Sequence, residues 1–136
     1  AGEWEFACRA GTESSRYYGE ADQLLGNYAW YINNSDIRTW PTGSLKPNDL
    51  GLFDMQGNVQ EGCQERYVDY SGIPSAFSVD TEDGEAVRNT ARRVLRGGSF
   101  GVRASELRSA YRNFNRPLNR YNNSGFRLAR THKPND

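Results

Sequence analysis

Thiols, imidazoles and carboxylates are the side chains that could do chemistry here, and the first two are scarce. Cys8 and Cys63 are the only cysteines and His132 is the only histidine. The two thiols form no CxxC pair, and with one imidazole they fall short of the four ligands of a structural zinc site. A disulfide between them is open, but two buried, unbonded thiols are expected from so small a count. His132 stands beside Lys133 and Pro134 in a polar tail, where a solvated terminus is expected rather than a ligand or base. Ser99 has no neighbouring base and reads as a turn hydroxyl, not a nucleophile.

The elements that must position such groups come from a lean composition. The 136 residues suit a single domain, 1–136, with one modest core. Mean hydropathy is −0.86, yet three Trp, eight Tyr and six Phe supply large buried areas. Low hydrophobicity is not joined to high net charge, so the chain reads as folded and loop-rich rather than disordered. No apolar run reaches the length of a membrane span, and no membrane partner is expected. The compartment stays open.

Charge is zero overall but divided along the chain. Residues 1–87 carry five basic and fifteen acidic side chains, and residues 88–136 carry twelve and two. A nucleic-acid surface is one reading of the Arg-rich half. The favoured reading is that two complementary parts pack on each other, because a neutral domain attracts phosphate weakly at long range.

Gly2–Ala10 spaces Trp4, Phe6 or Ala7, and Cys8 as a short amphipathic helix that Gly11 ends. From Thr12 to Pro41, Tyr17, Tyr18, Tyr28, Trp30, Tyr31 and Trp40 alternate with Gly, Asn and Asp, a pattern for loops pinned by rings. Turn signals at Pro47–Asp49 and Gln56–Asn58 flank the apolar run Leu50–Met55. Asp80–Asn89 reads as a mobile polar loop. Arg93–Phe100 reads as a strand entering a tight Gly97-Gly98 turn. Ser124–Arg130 alternates Phe126 and Leu128 with Arg127 and Arg130, a closing strand. Little helix, short strands and long connections follow.

The segments GEWEFACRAGT (2–12), NYAWY (27–31), GSLKPNDLGLFDMQGNVQEGC (43–63), RVLRGGSF (93–100), RSAYR (108–112) and GFRLAR (125–130) resemble the sulfatase-modifying, formylglycine-generating-enzyme family. The six are collinear and cover nearly all of the chain. The resemblance implies an α+β, C-type-lectin-like fold with few helices and long ordered loops. It also implies that the family's first strands and helix are missing here, so that a preceding segment or a partner chain would complete the domain.

The family's oxidase chemistry rests on two cysteines that hold copper, and aligned on GGSF these fall at Val102 and Leu107. An aliphatic side chain is neither a soft ligand nor a nucleophile, so no copper is expected. The family's iron-dependent members use several histidines, so no iron is expected either. Calcium is a different case. The family binds it in the loop matching Asp54–Glu61, where Asp54 and Glu61 would supply carboxylates and Gly57 and Val59 backbone oxygens. A looser second site would involve Asn27 and Asp36. The alternative is that Asp54 and Glu61 pair with nearby Arg. The loop departs from the family at Gln60 and Gly62, where two Trp are usual.

Residues 100–125 have no helical or strand period. A frame of Arg108-Ser109-Ala110, Arg112-Asn113, Asn115, Pro117, Arg120 and Asn122-Asn123 is interleaved with Gly101, Val102, Arg103, Leu107, Tyr111, Phe114, Arg116, Leu118 and Tyr121. This resembles the variable segment of diversity-generating-retroelement target proteins, in which adenines of Asn-type codons are mutated. All nine interleaved residues are reachable from AAC in that way, whereas Glu106 is not. The segment then reads as a paratope-like, non-catalytic surface for a protein ligand, with Phe100, Val102, Arg103, Leu107, Tyr111, Phe114, Arg116, Leu118 and Tyr121 as its candidate contacts. Arg108, Arg112, Arg120 and Phe126 are expected to hold it from beneath. The rival readings are an enzyme of the formylglycine-generating type and an accessory module of a larger protein.

Overall fold

A computed structural model describes residues 1–70 and 90–130; the expectations for His132 and for Asp80–Asn89 lie outside them. Helix α1 spans Gly2–Arg9, and the chain leaves it through Ala10, whose φ of 49° places it in the left-handed region while its N–H caps Phe6. The described residues also include the 3-10 turns Asp22–Asn27 and Ala104–Glu106. Among the described residues there are also four short strands: β1 (Gln60–Arg66), β2 (Arg93–Arg96), β3 (Asn113–Asn115) and β4 (Ser124–Gly125).

The strands form one sheet in the order β3-β2-β1-β4. β2 runs antiparallel to both β1 and β3, placing Glu61 opposite Arg96 and Val94 opposite Phe114. β4 lies parallel to β1, with only Gln60–Ser124 and Glu61–Gly125 in register. The closing strand is thus two residues long, not seven. Beyond it Arg127 turns onto Glu61 and the Phe53 carbonyl, which takes 126–130 off the ladder. Phe126, expected to support 100–125 from beneath, is 78% exposed, and Leu128 is 87% exposed.

Two small clusters stand in for a large core. Cys8, Tyr17 and Met55 gather Trp4, Ala7, Tyr28 and Leu52; Leu25, Ala29 and Leu107 gather Tyr31, Val102 and Ala104; Tyr18 touches both. Tyr18 and Tyr28 stack at 4.4 Å and Tyr17 meets each of them edge-on at 5.6 Å. Such pairs add about 0.5–1.5 kcal/mol each beyond area burial, which suits a chain so poor in aliphatics.

Asparagine holds the loops where secondary structure is absent. The Asn48 side chain donates to the Ala7 and Cys8 carbonyls and accepts from the Leu50 and Leu52 amides. Asn58 clamps both polar groups of the Trp40 backbone. Beside it, Gly57 has φ 78°, and a Cβ there would lie 2.4 Å from the Trp30 carbonyl oxygen. Only glycine lets these two loops meet.

Candidate functional site

The 97–111 segment leaves β2 through Gly97 and Gly98, both at positive φ. It is then fixed by groups far away in sequence. The Phe100 amide donates to the Asn58 carbonyl (2.8 Å), and the Phe100 carbonyl accepts from Ser35 Oγ (2.7 Å). Arg16, buried, donates to the carbonyls of Leu107 (3.1 Å) and Ala104 (3.0 Å). Arg96, also buried, reaches the Ser109 and Tyr111 carbonyls and Glu5. A charged donor to a buried carbonyl contributes about 1.5–3 kcal/mol. These two arginines are the frame of the segment. Arg108 and Arg120, expected in that role, are exposed. Arg112 is half-buried and donates to the Val68 carbonyl.

Two candidate contact residues belong to the scaffold instead. Phe100 is buried in the Asn58–Ser35 clamp, and Leu107 is wholly buried against Leu25 and Ala29. Irregular spacing in 100–125 concealed this. Leu107 fills the space above Gly98, and Val102 comes in beside it. A Cβ on Gly98 would fall 2.6 Å from Leu107 Cδ2 and 3.1 Å from Val102 Cγ2. The two positions that the resemblance assigns to copper cysteines therefore converge in space, and both hold hydrocarbon. Ser99, next to them, is buried and its amide neighbour in the turn is Val102, which donates to the Ser99 carbonyl.

The remaining candidates face outward. Leu118 and Tyr121 are 77% and 55% exposed, Phe114 is partly exposed, and Arg103 and Arg116 are exposed. Tyr111 is half-buried, and its hydroxyl donates to Glu106 Oε2 at 3.2 Å. Burial, and then the Glu106 charge, raise the Tyr111 phenol above its ordinary value. Asn113 and Asn115 accept from the amides of Phe114 and Arg116, each at 2.8 Å. The Asn frame thus serves its own backbone.

Sequence reasoning missed three residues of this surface. Arg92 lies 4.5 Å over the Phe114 ring, Phe114 and Tyr67 are 4.5 Å apart, and Arg112 lies over Tyr67 (5.1 Å) and Tyr70 (4.0 Å). The result is a ladder in the order cation, ring, ring, cation, ring, of which Phe114 alone lies on β3. The i, i+2 spacing of Arg112 and Phe114 signals one shared face. Nothing local signals that Tyr67, Tyr70 and Arg92 join it.

The proposed calcium ligands divide. Asp54 accepts from the Gly43 amide through Oδ2, while its buried Oδ1 has no hydrogen-bond partner. Glu61 has none to spare: Arg127 donates to both its oxygens at 2.7–3.1 Å and Trp4 Nε1 to Oε2 at 2.7 Å. Val59 packs its side chain toward Gly125, and the Gly57 amide donates to the Gly97 carbonyl. Asn27 and Asp36 are both exposed, and the Asn27 carbonyl accepts from the Lys46 amide. Among the described residues no group of three or more His, Cys, Asp or Glu could hold an ion. Asp54 fits a cation by its orphaned oxygen; Glu61, as paired, does not.

Cys8 and Cys63 are not joined. Cys8 is buried, its Sγ donates to Ser109 Oγ at 3.6 Å, and burial pushes its thiol up to about 12. A raised thiol is the opposite of an activated nucleophile.

Comparison with known proteins places this geometry. The model described as the sulfatase-modifying factor enzyme 1-like domain matches residues 1–132. The formylglycine-generating enzyme of Streptomyces coelicolor is 32% identical over 144 residues, covering 93% of this chain and 44% of that protein. The serine/threonine-protein kinase pkn1 of Chlamydia pneumoniae is 32% identical over 133 residues, covering 94% of this chain and 20% of the kinase. The solved structure of Treponema denticola variable protein 1 superposes with a TM-score of 0.72 at 31% identity, covering 91% of this chain and 43% of that one. The chain spans less than half the length of each. The fold is the α+β, C-type-lectin-like arrangement expected from the motifs.

Proposed function

The chain belongs to the sulfatase-modifying factor enzyme 1-like domain family, and from that premise we propose that it is a non-catalytic binding scaffold. Its display surface runs over Arg103, Tyr111, Phe114, Arg116, Leu118 and Tyr121, with a protein as ligand. The observation that carries the reading is the hydrocarbon pair Val102 and Leu107 packed on Gly98. Two thiolates could hold a soft metal there; two aliphatic groups cannot. The likeness to a protein named a variable protein supports a surface free to change. The mixture of Tyr, Phe and Arg on fixed Asn-capped backbone suits recognition at low conformational cost.

The test is direct. Purified protein incubated with a Cys-containing peptide and copper should yield no aldehyde, and aldehyde formation would return the chain to the oxidase reading. That rival keeps a foothold in the likeness to formylglycine-generating enzymes. An accessory role within a longer protein is favoured by a different observation, the match to one fifth of a kinase. It is compatible with the scaffold reading, because a module can bind for its host. Retroelement diversification has its own test in the flanking DNA: a near-copy of the 100–125 coding region differing at adenines.

Calcium belongs to this proposal in a reduced form. Asp54 Oδ1 is its open carboxylate oxygen, and Glu61 would have to leave Arg127 to join.

A further inference from the structure

We propose that the groove at Gly62 seats an aromatic side chain with a polar tip, tryptophan or tyrosine, presented by the protein ligand. This rests on the scaffold reading and adds the group by which the ligand is anchored.

Gly62 is the first ground, because nothing inside the described chain asks for a glycine there. It lies within β1 opposite Leu95, and it is not among the glycines at positive φ. A Cβ on it would meet the Gly125 carbonyl oxygen and Leu95 Cδ2 at 3.9 Å each, which is ordinary contact. Gly57 and Gly98 differ on both counts: each has positive φ, and a Cβ there would fall 2.4 and 2.6 Å from its neighbour. A glycine inside a strand gives up stability and packing. A bare strand position that neither backbone nor packing requires marks where another molecule approaches closely.

The groove is the second ground. It encloses about 300 Å³, lined by Gly62, Leu95 and Gly125 from the sheet and by Pro117 and Asn119 from the connection between β3 and β4. That size is at the small end of ligand pockets and holds one large side chain rather than a cofactor. With no side chain on either glycine, the sheet offers bare peptide. A flat ring makes more close contacts on such a floor than a branched aliphatic chain does.

Polar groups at the groove complete the match. Asn119 donates to Asn115 Oδ1 at 2.7 Å, which holds its side chain in place. Its own Oδ1 and the Gln64 side-chain amide have no hydrogen-bond partner among the described residues, and both residues line the groove. An indole N–H or a phenol O–H can donate to either, and an Asn already restrained loses less freedom on binding. Leucine and phenylalanine would not use these amides. Arg116 of the display surface also lines the groove, so the anchor site is continuous with that surface. An aromatic anchor in a pocket is the usual centre of a protein interface.

The probe is N-acetyltryptophanamide, titrated into isotope-labelled protein and followed by NMR. Amide shifts should gather at Gly62, Leu95 and Asn119, and N-acetylleucinamide should bind about threefold more weakly or worse. Gly62→Trp fills the groove from within and should cut binding by about tenfold or more. Its melting temperature should equal or exceed that of the wild type, because it fills space and displaces no packed group. Gly62→Val suits a strand and should weaken binding by about threefold, which keeps the test if the larger ring is not accommodated. Leu118→Ala should change binding less than about twofold. Unchanged binding in both Gly62 variants, equal binding of N-acetylleucinamide, absence of N-acetyltryptophanamide binding, or a lowered melting temperature in both variants would each overturn the anchor assignment. The scaffold reading fails separately, on aldehyde formed from the Cys-containing peptide.

Discussion

Leu107 Cδ2 lies where a side chain on Gly98 would begin: a Cβ built on that glycine would be 2.6 Å from it. The glycine, at φ 67°, and the leucine are a matched pair that closes the turn after β2 over the Leu25–Ala29 cluster.

Core and display residues within one irregular segment should therefore differ sharply in stability. Leu107→Ala should cost about 2–5 kcal/mol, as for a fully buried leucine. Leu118→Ala and Tyr121→Ala should stay within about 0.5 kcal/mol. Urea unfolding of the three variants measures this. Comparable losses at all three would remove the distinction between scaffold and surface.

The buried arginines give a second expectation. Arg16→Ala leaves the Leu107 carbonyl without its Arg16 donor, while the Ala104 carbonyl keeps the Leu107 amide, at about 1–3 kcal/mol for the unsatisfied group. Arg16→Lys should rescue little, because one ammonium cannot reproduce the fork. Hydrogen exchange should quicken at 104–109 before it quickens in α1. Unchanged protection there would mean that the loop is held by other contacts.

Much of the fold could be read locally, and the exceptions share one cause. Helix α1 and strand β2 follow from spacing and from the glycines after them, since each pattern is complete within about ten residues. The misreadings depended on distant partners. Phe126 and Leu128 alternate correctly for a strand, yet β1 offers only Gln60 and Glu61 as partners and Arg127 draws the chain aside. Phe100 and Leu107 are buried by Ser35, Asn58 and Arg16, none of which leaves a periodic trace. At the site, the exposed Phe114, Leu118 and Tyr121 were legible as a non-periodic, aromatic-rich run. The ladder was not, because Tyr67 and Arg92 reach Phe114 only through sheet pairing.

Alkaline pH should weaken the fold through Cys8. Its thiol rises from 9.0 to about 12, chiefly by burial, so the folded state holds a proton that the unfolded chain releases. The contribution is whole below pH 9 and is lost as pH climbs toward 12, at up to ~1.4 kcal/mol per unit. Tyr17 is also raised by burial, but from 10.0, so between pH 9 and 10 the slope is mainly that of Cys8. Cys8→Ala should flatten stability in that window. A slope unchanged by Cys8→Ala would assign it elsewhere.

The last expectation decides between ion pair and calcium at Glu61. Arg127 donates to both of its oxygens and Trp4 to one, so the carboxylate is satisfied without a metal. Arg127→Ala strands a buried charge. Full burial would make that about 3–5 kcal/mol, but Arg127 is partly solvated, and a loss nearer the lower end is expected. Adding Glu61→Gln to that variant should recover part of the loss. If Asp54 and Glu61 can bind calcium once Arg127 is gone, millimolar calcium should raise the melting temperature of Arg127→Ala more than that of the wild type, by mass action on the folded state. Asp54→Ala should abolish that difference, because it removes the one carboxylate oxygen of the loop that is buried without a partner. Identical melting curves with calcium and with chelator, in both proteins, would leave the Glu61–Arg127 pair as the whole explanation of this loop.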